Sequence, residues 1–234
     1  MTEIAQNLLL RSAPDAARRA VLEAAETVHL DFGEEVIEPK QPIRFVDFPE
    51  TGVWSIVSVK DEVVSEVATV GNEGLIGVSL LLGANTIQEK VFCQVPGRAL
   101  QLDAREFLRI VEEHPTLGDL CKRYSLALFN QVASNVGCNR THAVDERFAR
   151  WLLMTSDRCN SPEFALTQEF LSQMLGVSRT SVNAVAGSLS KAELITYVRG
   201  KIKILNRLGL EAASCPCYFE MRDYYARVVT GDSV

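Results

Sequence analysis

The stretch Leu166-Thr-Gln-Glu-Phe-Leu-Ser-Gln-Met-Leu-Gly-Val-Ser-Arg-Thr-Ser-Val-Asn-Ala-Val-Ala-Gly-Ser-Leu189 decides the architecture of this 234-residue chain. Thr167 is placed to cap a first helix, because its hydroxyl can accept from a backbone N–H left free in the first turn. Phe170, Leu171, Met174 and Leu175 then recur at helical spacing, and Gly176 supplies the tight turn. Ser178 is placed to cap a second helix, on which Val182, Val185, Ala186 and Leu189 share one face. That packing leaves Arg179, Thr180, Ser181 and Asn183 at the exposed N-terminal end. The pattern is a helix-turn-helix, and these four side chains are its candidates for contact with base edges. The competing reading is a pair of amphipathic helices that only fills a core.

The residues that follow favour the first reading. Leu194-Ile-Thr-Tyr-Val-Arg-Gly-Lys-Ile-Lys-Ile-Leu205 holds two short β-branched runs around Arg199-Gly200, a hairpin with a basic tip. A helix-turn-helix followed by a hairpin is a winged helix. Arg199, Lys201 and Lys203 sit where a wing meets phosphates, and Thr167 is a further candidate for phosphate contact. An ordinary solvated hairpin is the alternative.

Hydrophobic residues make up 47% of the chain and the formal net charge is −6. The acidic balance argues against a nucleic-acid binder only if charge is spread evenly. From Pro162 to Ser214 there are six bases against four acids, so this segment is locally basic and the acid excess lies elsewhere. Such a face predicts modest non-specific affinity with a strong salt dependence. No apolar run approaches the roughly 18 residues of a membrane helix, and Met1-Thr-Glu-Ile-Ala lacks the basic start and apolar core of a signal peptide. A cytoplasmic protein without a membrane partner is expected. The six cysteines, at 93, 121, 138, 159, 215 and 217, are scattered through a chain too large to need a disulfide framework, so reduced thiols are expected.

Upstream, residues 14 to 25 read as a short helix opened by Pro14. Val53–Val59 and Val63–Val70 flank Lys60-Asp61-Glu62 as a hairpin, and Val91–Val95 and Ala99–Leu102 flank the turn signal Pro96-Gly97. Short strands at this spacing predict an antiparallel barrel or roll. Asp103-Ala-Arg-Glu106 has the form of a capping box and opens a helix to about Glu113. Pro115 then begins a helix to about His142, roughly 40 Å long at about 1.5 Å per residue. Leu117, Leu120, Tyr124, Leu128 and Val132 line one side of it, while Leu126, Phe129, Ala133 and Val136 form a second apolar stripe. Two apolar sides need two covers, and a second copy of the chain is the simplest second one.

A roll, a long helix and a C-terminal winged helix, in this order, resemble the Crp/Fnr family of bacterial transcription regulators over nearly the whole chain. Gly176-Val-Ser-Arg-Thr-Ser-Val182 stands in the place of the family's turn and recognition helix. Gly74-Leu-Ile-Gly-Val-Ser-Leu80 looks like the roll segment that holds cyclic nucleotide in well-known members. Cys138-Asn-Arg-Thr-His-Ala-Val-Asp-Glu-Arg-Phe-Ala-Arg-Trp-Leu-Leu153 is similar to a subgroup at the start of the DNA domain. The resemblance implies an α+β fold with an N-terminal antiparallel, jelly-roll-like β-roll over residues 1–114, a dimerisation helix and hinge over 115–143, and a winged helix-turn-helix with a helical tail over 144–234. It implies a homodimer on two-fold-related double-stranded DNA, with RNA polymerase as a further partner.

The departures concern the input. Where cyclic-nucleotide binders carry a Glu for the ribose after the family glycine, here Gly77 is followed by Val78. Where they carry an Arg for the cyclic phosphate, the register gives Glu89, with Lys90 one residue on. A carboxylate facing a phosphate repels it, so the effector is unknown and cyclic nucleotide is disfavoured. Members that hold an iron–sulfur cluster place several cysteines near the N-terminus; none precedes Cys93, so no cluster is expected. A haem would have to use His29 or His114, the histidines outside the hinge. At the hinge, Cys138 and His142 are four residues apart on one helical face, and Cys215-Pro-Cys217 could add two thiolates, making a candidate metal or redox site. Buried thiols acting as small hydrophobes, beside an ordinary hydrogen-bonded histidine, are the alternative. A regulatory protein acting through protein contacts is the alternative to DNA reading. An enzyme finds no support, since the chain has no Gly-rich phosphate loop, zinc-protease helix or nucleophile elbow.

Overall fold

The computed structural model describes residues 5–230; Met1–Ile4, on which the signal-peptide reading falls, and residues 231–234 lie outside it. Helices α1 (Leu8–Arg11) and α2 (Asp15–Ala24) precede the roll. One sheet has the order β1-β7-β3, from Glu26–Leu30, Gly97–Asp103 and Phe45–Pro49. The other has the order β2-β6-β4-β5, from Glu35–Ile37, Lys90–Val95, Val53–Lys60 and Val63–Val70. All pairings within the two sheets are antiparallel. The expected hairpin is present as β4–β5. Asp61 and Glu62 have φ of 50° and 65°, and positive φ at both central residues twists a two-residue turn to suit its strands. Pro96-Gly97 turns the chain differently. It carries the chain from β6 in one sheet to β7 in the other, since Pro96 has no N–H to continue a ladder. Strands β1, β2 and β3 escaped the sequence reading because they are short and lack a clean apolar alternation.

Helix α3 (Ala104–Glu113) starts at Asp103, whose carboxylate accepts from the backbone N–H of Arg105 at 2.8 Å. The reciprocal half of the expected capping box is not made, because Glu106 accepts from Arg109 instead. Helix α4 (Pro115–Thr141) runs along the roll. Leu117, Leu120 and Tyr124 are buried in the roll's core with Trp54, Phe48 and Phe107. Tyr124 reaches the backbone at Gly74 so closely that a Cβ there would lie 2.2 Å from its hydroxyl. Only glycine fits that contact. The second stripe is exposed: Leu126 is 53%, Phe129 67% and Val136 68% accessible, which is the pattern expected of a face awaiting another cover.

After α5 (Val144–Cys159) come β8 (Glu163–Ala165), α6 (Gln168–Leu175), α7 (Arg179–Lys191), β9 (Ile195–Val198), β10 (Lys201–Ile204), α8 (Arg207–Ala213) and α9 (Cys217–Thr230). The tail helix α9 packs on the winged-helix core only at its start, through Tyr218 and Phe219. Tyr225 and Val228 join the roll's core, with the Tyr225 hydroxyl donating to Gln131 of α4 at 3.0 Å. The second core crosses the segment boundaries as well. It gathers Val53, Val57 and Val95 of the roll with Phe148, Trp151 and Leu171. Phe170 of α6 stands edge-on to Phe32 and Phe92 at ring separations of 5.4 and 6.2 Å.

Polar groups buried at this seam are paired across it. Arg158 of α5 meets Glu73 at 2.8 Å, and the Trp151 indole donates to Glu66 at 2.8 Å. Burial pushes the Glu66 carboxyl up to about 7, against smaller opposing effects from Trp151, Ser55, Arg158 and Arg150. A raised carboxylate pKa means the folded chain binds this proton more tightly than the unfolded one. The contribution is therefore full below the ordinary value of 4.5 and is lost as pH rises through about 7. Glu66→Gln keeps an acceptor for Trp151 and removes the buried charge. The variant is expected to be more stable than wild type by on the order of 1 kcal/mol at pH 8 and no more stable at pH 4.5, read by urea unfolding at both pH values.

Candidate functional site

The helix-turn-helix forms as its caps dictate. The Thr167 hydroxyl accepts from the Phe170 N–H at 3.1 Å, and Gly176 ends α6 at φ 64°. The Ser178 hydroxyl accepts from the Ser181 N–H at 3.1 Å, which fixes the start of α7. Val182, Ala186 and Leu189 are buried toward α5 and α6, so Arg179, Thr180 and Asn183 face outward and Ser181 is half-exposed. Two further side chains complete this surface. Glu169 pairs with Arg179 at 3.1 Å, and Gln168 donates to Asn183 at 3.2 Å. Neither was legible in the sequence, since both sit on the polar face of α6 without a distinctive spacing. The Arg179–Glu169 pair is exposed on both sides and holds the arginine weakly.

The wing closes through Arg199 and Gly200 at φ of 51° and 79°, a turn with both central residues left-handed. Lys201 pairs with Val198 across it, and Arg199, Lys201 and Lys203 are exposed. The sequence reading missed β8, which adds a third strand, in the order β8-β10-β9. Its three residues carry too little pattern to be seen alone. The strand places Glu163 opposite Lys203.

In the roll, a cavity of about 320 Å³ lies between the second sheet and α4. Gly77, Val78 and Glu89 line it, with apolar neighbours including Ile56, Leu128 and Val132. Lys90 is not in the lining; its ammonium pairs with Glu35. Among the described residues, Glu89 is the only charged group in the wall, and the buried Ser79 hydroxyl there lacks a hydrogen-bond partner. The cavity is an apolar chamber with one carboxylate and no cation facing it. A larger space of about 620 Å³ lies between α1, α5 and α9 and depends on a tail position the sequence did not show.

The hinge residues meet. Cys138 Sγ lies 3.5 Å from Cys215 Sγ, and Cys217 Sγ lies 3.6 Å from His142 Nδ1. All four ligand atoms are within 4.8 Å of one another. The Cys138 thiol is pulled down to about 5, first by its hydrogen bond with Cys215 and then by Arg150 and His142. Cys215 is pushed up by the same hydrogen bond, and Cys217 by burial. The lack of N-terminal cysteines therefore does not settle what this chain binds, because four ligands converge elsewhere. His29 and His114 are not among them.

A roll, a helix along its face and a winged helix at the end is the fold seen in solved structures of Crp/Fnr-family regulators. Residues 146–213 match the family described as the Crp-like helix-turn-helix domain, so the chain carries that domain. Solved structures agree on the fold. A transcriptional regulator of the crp/fnr family from Eubacterium rectale is similar over 88% of this chain and 96% of its own, at 16% identity and a TM-score of 0.65. FixK2 from Bradyrhizobium japonicum covers 82% of this chain and 98% of its own, at 13% identity and a TM-score of 0.69. A CRP/FNR family transcriptional regulator from Thermus thermophilus covers 81% and 98%, at 21% identity and a TM-score of 0.58. A sequence comparison with curated proteins gives no match.

The cap at Ser178 organises the end of α7 that carries the outward side chains. Ser178→Ala is expected to lower unfolding free energy by about 1 kcal/mol, and Ser178→Gly by only a few tenths, in urea titrations.

Proposed function

We propose that the protein is a homodimeric, sequence-specific reader of two-fold-related DNA, acting in the cytoplasm and answering to something other than cyclic nucleotide. The observation that carries this reading is the Crp-like helix-turn-helix domain with Arg179, Thr180 and Asn183 exposed at the start of α7. Arg179 has the length and fork to pair with a guanine edge. As DNA approaches, phosphates repel Glu169 while attracting Arg179, so their weak pair opens. Thr180, Ser181 and Asn183 refine the sequence read, while Thr167, Arg199 and Lys201 hold phosphates and set the register. RNA polymerase is the expected downstream partner.

The dimer is supported by the exposed stripe of α4, where Leu126, Phe129, Ala133 and Val136 would bury against their own copies. This joins input to output. Leu128 and Val132 wall the roll cavity from the same helix, so a molecule held there touches the element that pairs the subunits. Glu89 in that wall disfavours a cyclic phosphate, and no arginine faces it among the described residues.

Three outcomes follow. Arg179→Ala should lose about 1–3 kcal/mol of operator discrimination and relax one base position, measured by competition between operator and single-base variants; unchanged selectivity would remove the assignment. Lys201→Ala should weaken binding uniformly and reduce the log–log salt slope by about 1. Phe129→Glu should yield monomers by analytical ultracentrifugation at concentrations where wild type is dimeric, because two like charges would meet across the α4 pair.

A further inference from the structure

The three cysteines of the hinge are buried for a reason the two apolar cores do not supply. Cys138, Cys215 and Cys217 form a cluster of their own, separate from both. They come from distant parts of the chain: Cys138 from the last turn of α4, Cys215 from the link between α8 and α9, and Cys217 from the start of α9. His142, half-exposed, caps the C-terminal end of α4 and closes the set. We propose that Cys138, His142, Cys215 and Cys217 bind one zinc-class divalent cation, tetrahedrally, through three thiolates and one imidazole.

The distances fit one ion. Zinc–thiolate bonds of about 2.3 Å and zinc–imidazole bonds of about 2.0–2.1 Å, at tetrahedral angles, set sulfurs about 3.8 Å apart and a sulfur about 3.6 Å from a ring nitrogen. The sulfur pair at 3.5 Å and the sulfur–nitrogen pair at 3.6 Å match those edges. A polynuclear iron–sulfur cluster would hold the ligands of its different irons farther apart than the 4.8 Å that encloses all four atoms here, since its own core stands between them. The charge fits too. Three thiolates and a dication leave one net negative charge, and Arg150 of α5 is a buried cation at the same hinge. Arg150 donates to Asn135 at 2.8 Å and has a second buried nitrogen without a partner. On binding, the thiol protons leave to solvent and four ligand bonds form, with no change of oxidation state. The half-exposed histidine gives the ion its way in.

Such an ion would fasten the tail of the winged-helix domain to the end of the long helix, where α4 breaks into α5. This role rests on the regulatory reading above, whereas the metal site does not. The test is therefore made on metal, not on DNA. Full-length protein, purified anaerobically without chelator, should carry one zinc per chain by mass spectrometric metal analysis. Replacement by cobalt should give the visible bands of a tetrahedral site and thiolate-to-cobalt charge transfer. Cys138→Ser and Cys217→Ser should each weaken cobalt binding by about 100-fold or more, while Cys159→Ser should leave it unchanged. Absence of zinc with no uptake of cobalt, metal retained equally in Cys138→Ser, a Cys138–Cys215 disulfide in peptide mapping, or iron–sulfur absorption would each overturn the proposal. Should a serine variant fail to fold by circular dichroism, the wild-type cobalt spectrum alone decides.

Discussion

A helix of 27 residues with apolar groups on more than one side cannot stand alone in water, and the arrangement of this protein follows from covering α4. The roll takes Leu117, Leu120 and Tyr124. The tail helix takes the side around Ala127 and Gln131, with Tyr225 bonded to Gln131. The stripe from Leu126 to Val136 stays exposed, and it is the face on which the dimer proposed above would form. At its far end, Cys138 and His142 meet Cys215 and Cys217, so the same helix also anchors the link between α8 and α9. The roll, the tail helix and α5, which leads into the helix-turn-helix, thus each touch one helix.

That geometry links the roll and α4 directly to α5. Arg158 bonds to Glu73 of the roll and to Gln131 of α4, while Arg150 bonds to Asn135 of α4. Both arginines belong to α5, which carries the winged helix. A shift of α4 relative to the roll must therefore break buried, charge-assisted hydrogen bonds on one side of α5 or the other. Leaving such groups unpaired costs several kcal/mol, which favours two discrete arrangements over gradual bending. The edge-on contacts of Phe170 with Phe32 and Phe92 fix the helix-turn-helix against the roll in the arrangement seen.

The elements with strong local chemistry were legible in the sequence. Thr167, Gly176 and Ser178 mark the helix-turn-helix because caps and turns are set by adjacent residues, and the structure places each as expected. Arg199-Gly200 marks the wing for the same reason. Strands β1 to β3 and β8 were not legible, since three to five residues acquire their meaning only from the strands they pair with. The tail helix was visible as a helix but not as a neighbour of α4, because its contacts span about half the chain. In the site, the Glu169 partner of Arg179 and the Glu66–Trp151 seam depend on tertiary approach and leave no local mark. The hinge set is the intermediate case. Four-residue spacing paired Cys138 with His142, but only the fold brings Cys215 and Cys217 to them.

In the reading proposed above, a two-fold dimer recognises sequence through paired α7 helices. Selection of bound fragments from random double-stranded DNA by the full-length protein tests it most directly. The expected result is enrichment of an inverted repeat whose half-sites lie about one helical turn, roughly 34–36 Å, apart, with one dimer per fragment. Recovery of fragments with no enriched sequence, or of a single asymmetric half-site bound by one chain, would contradict it.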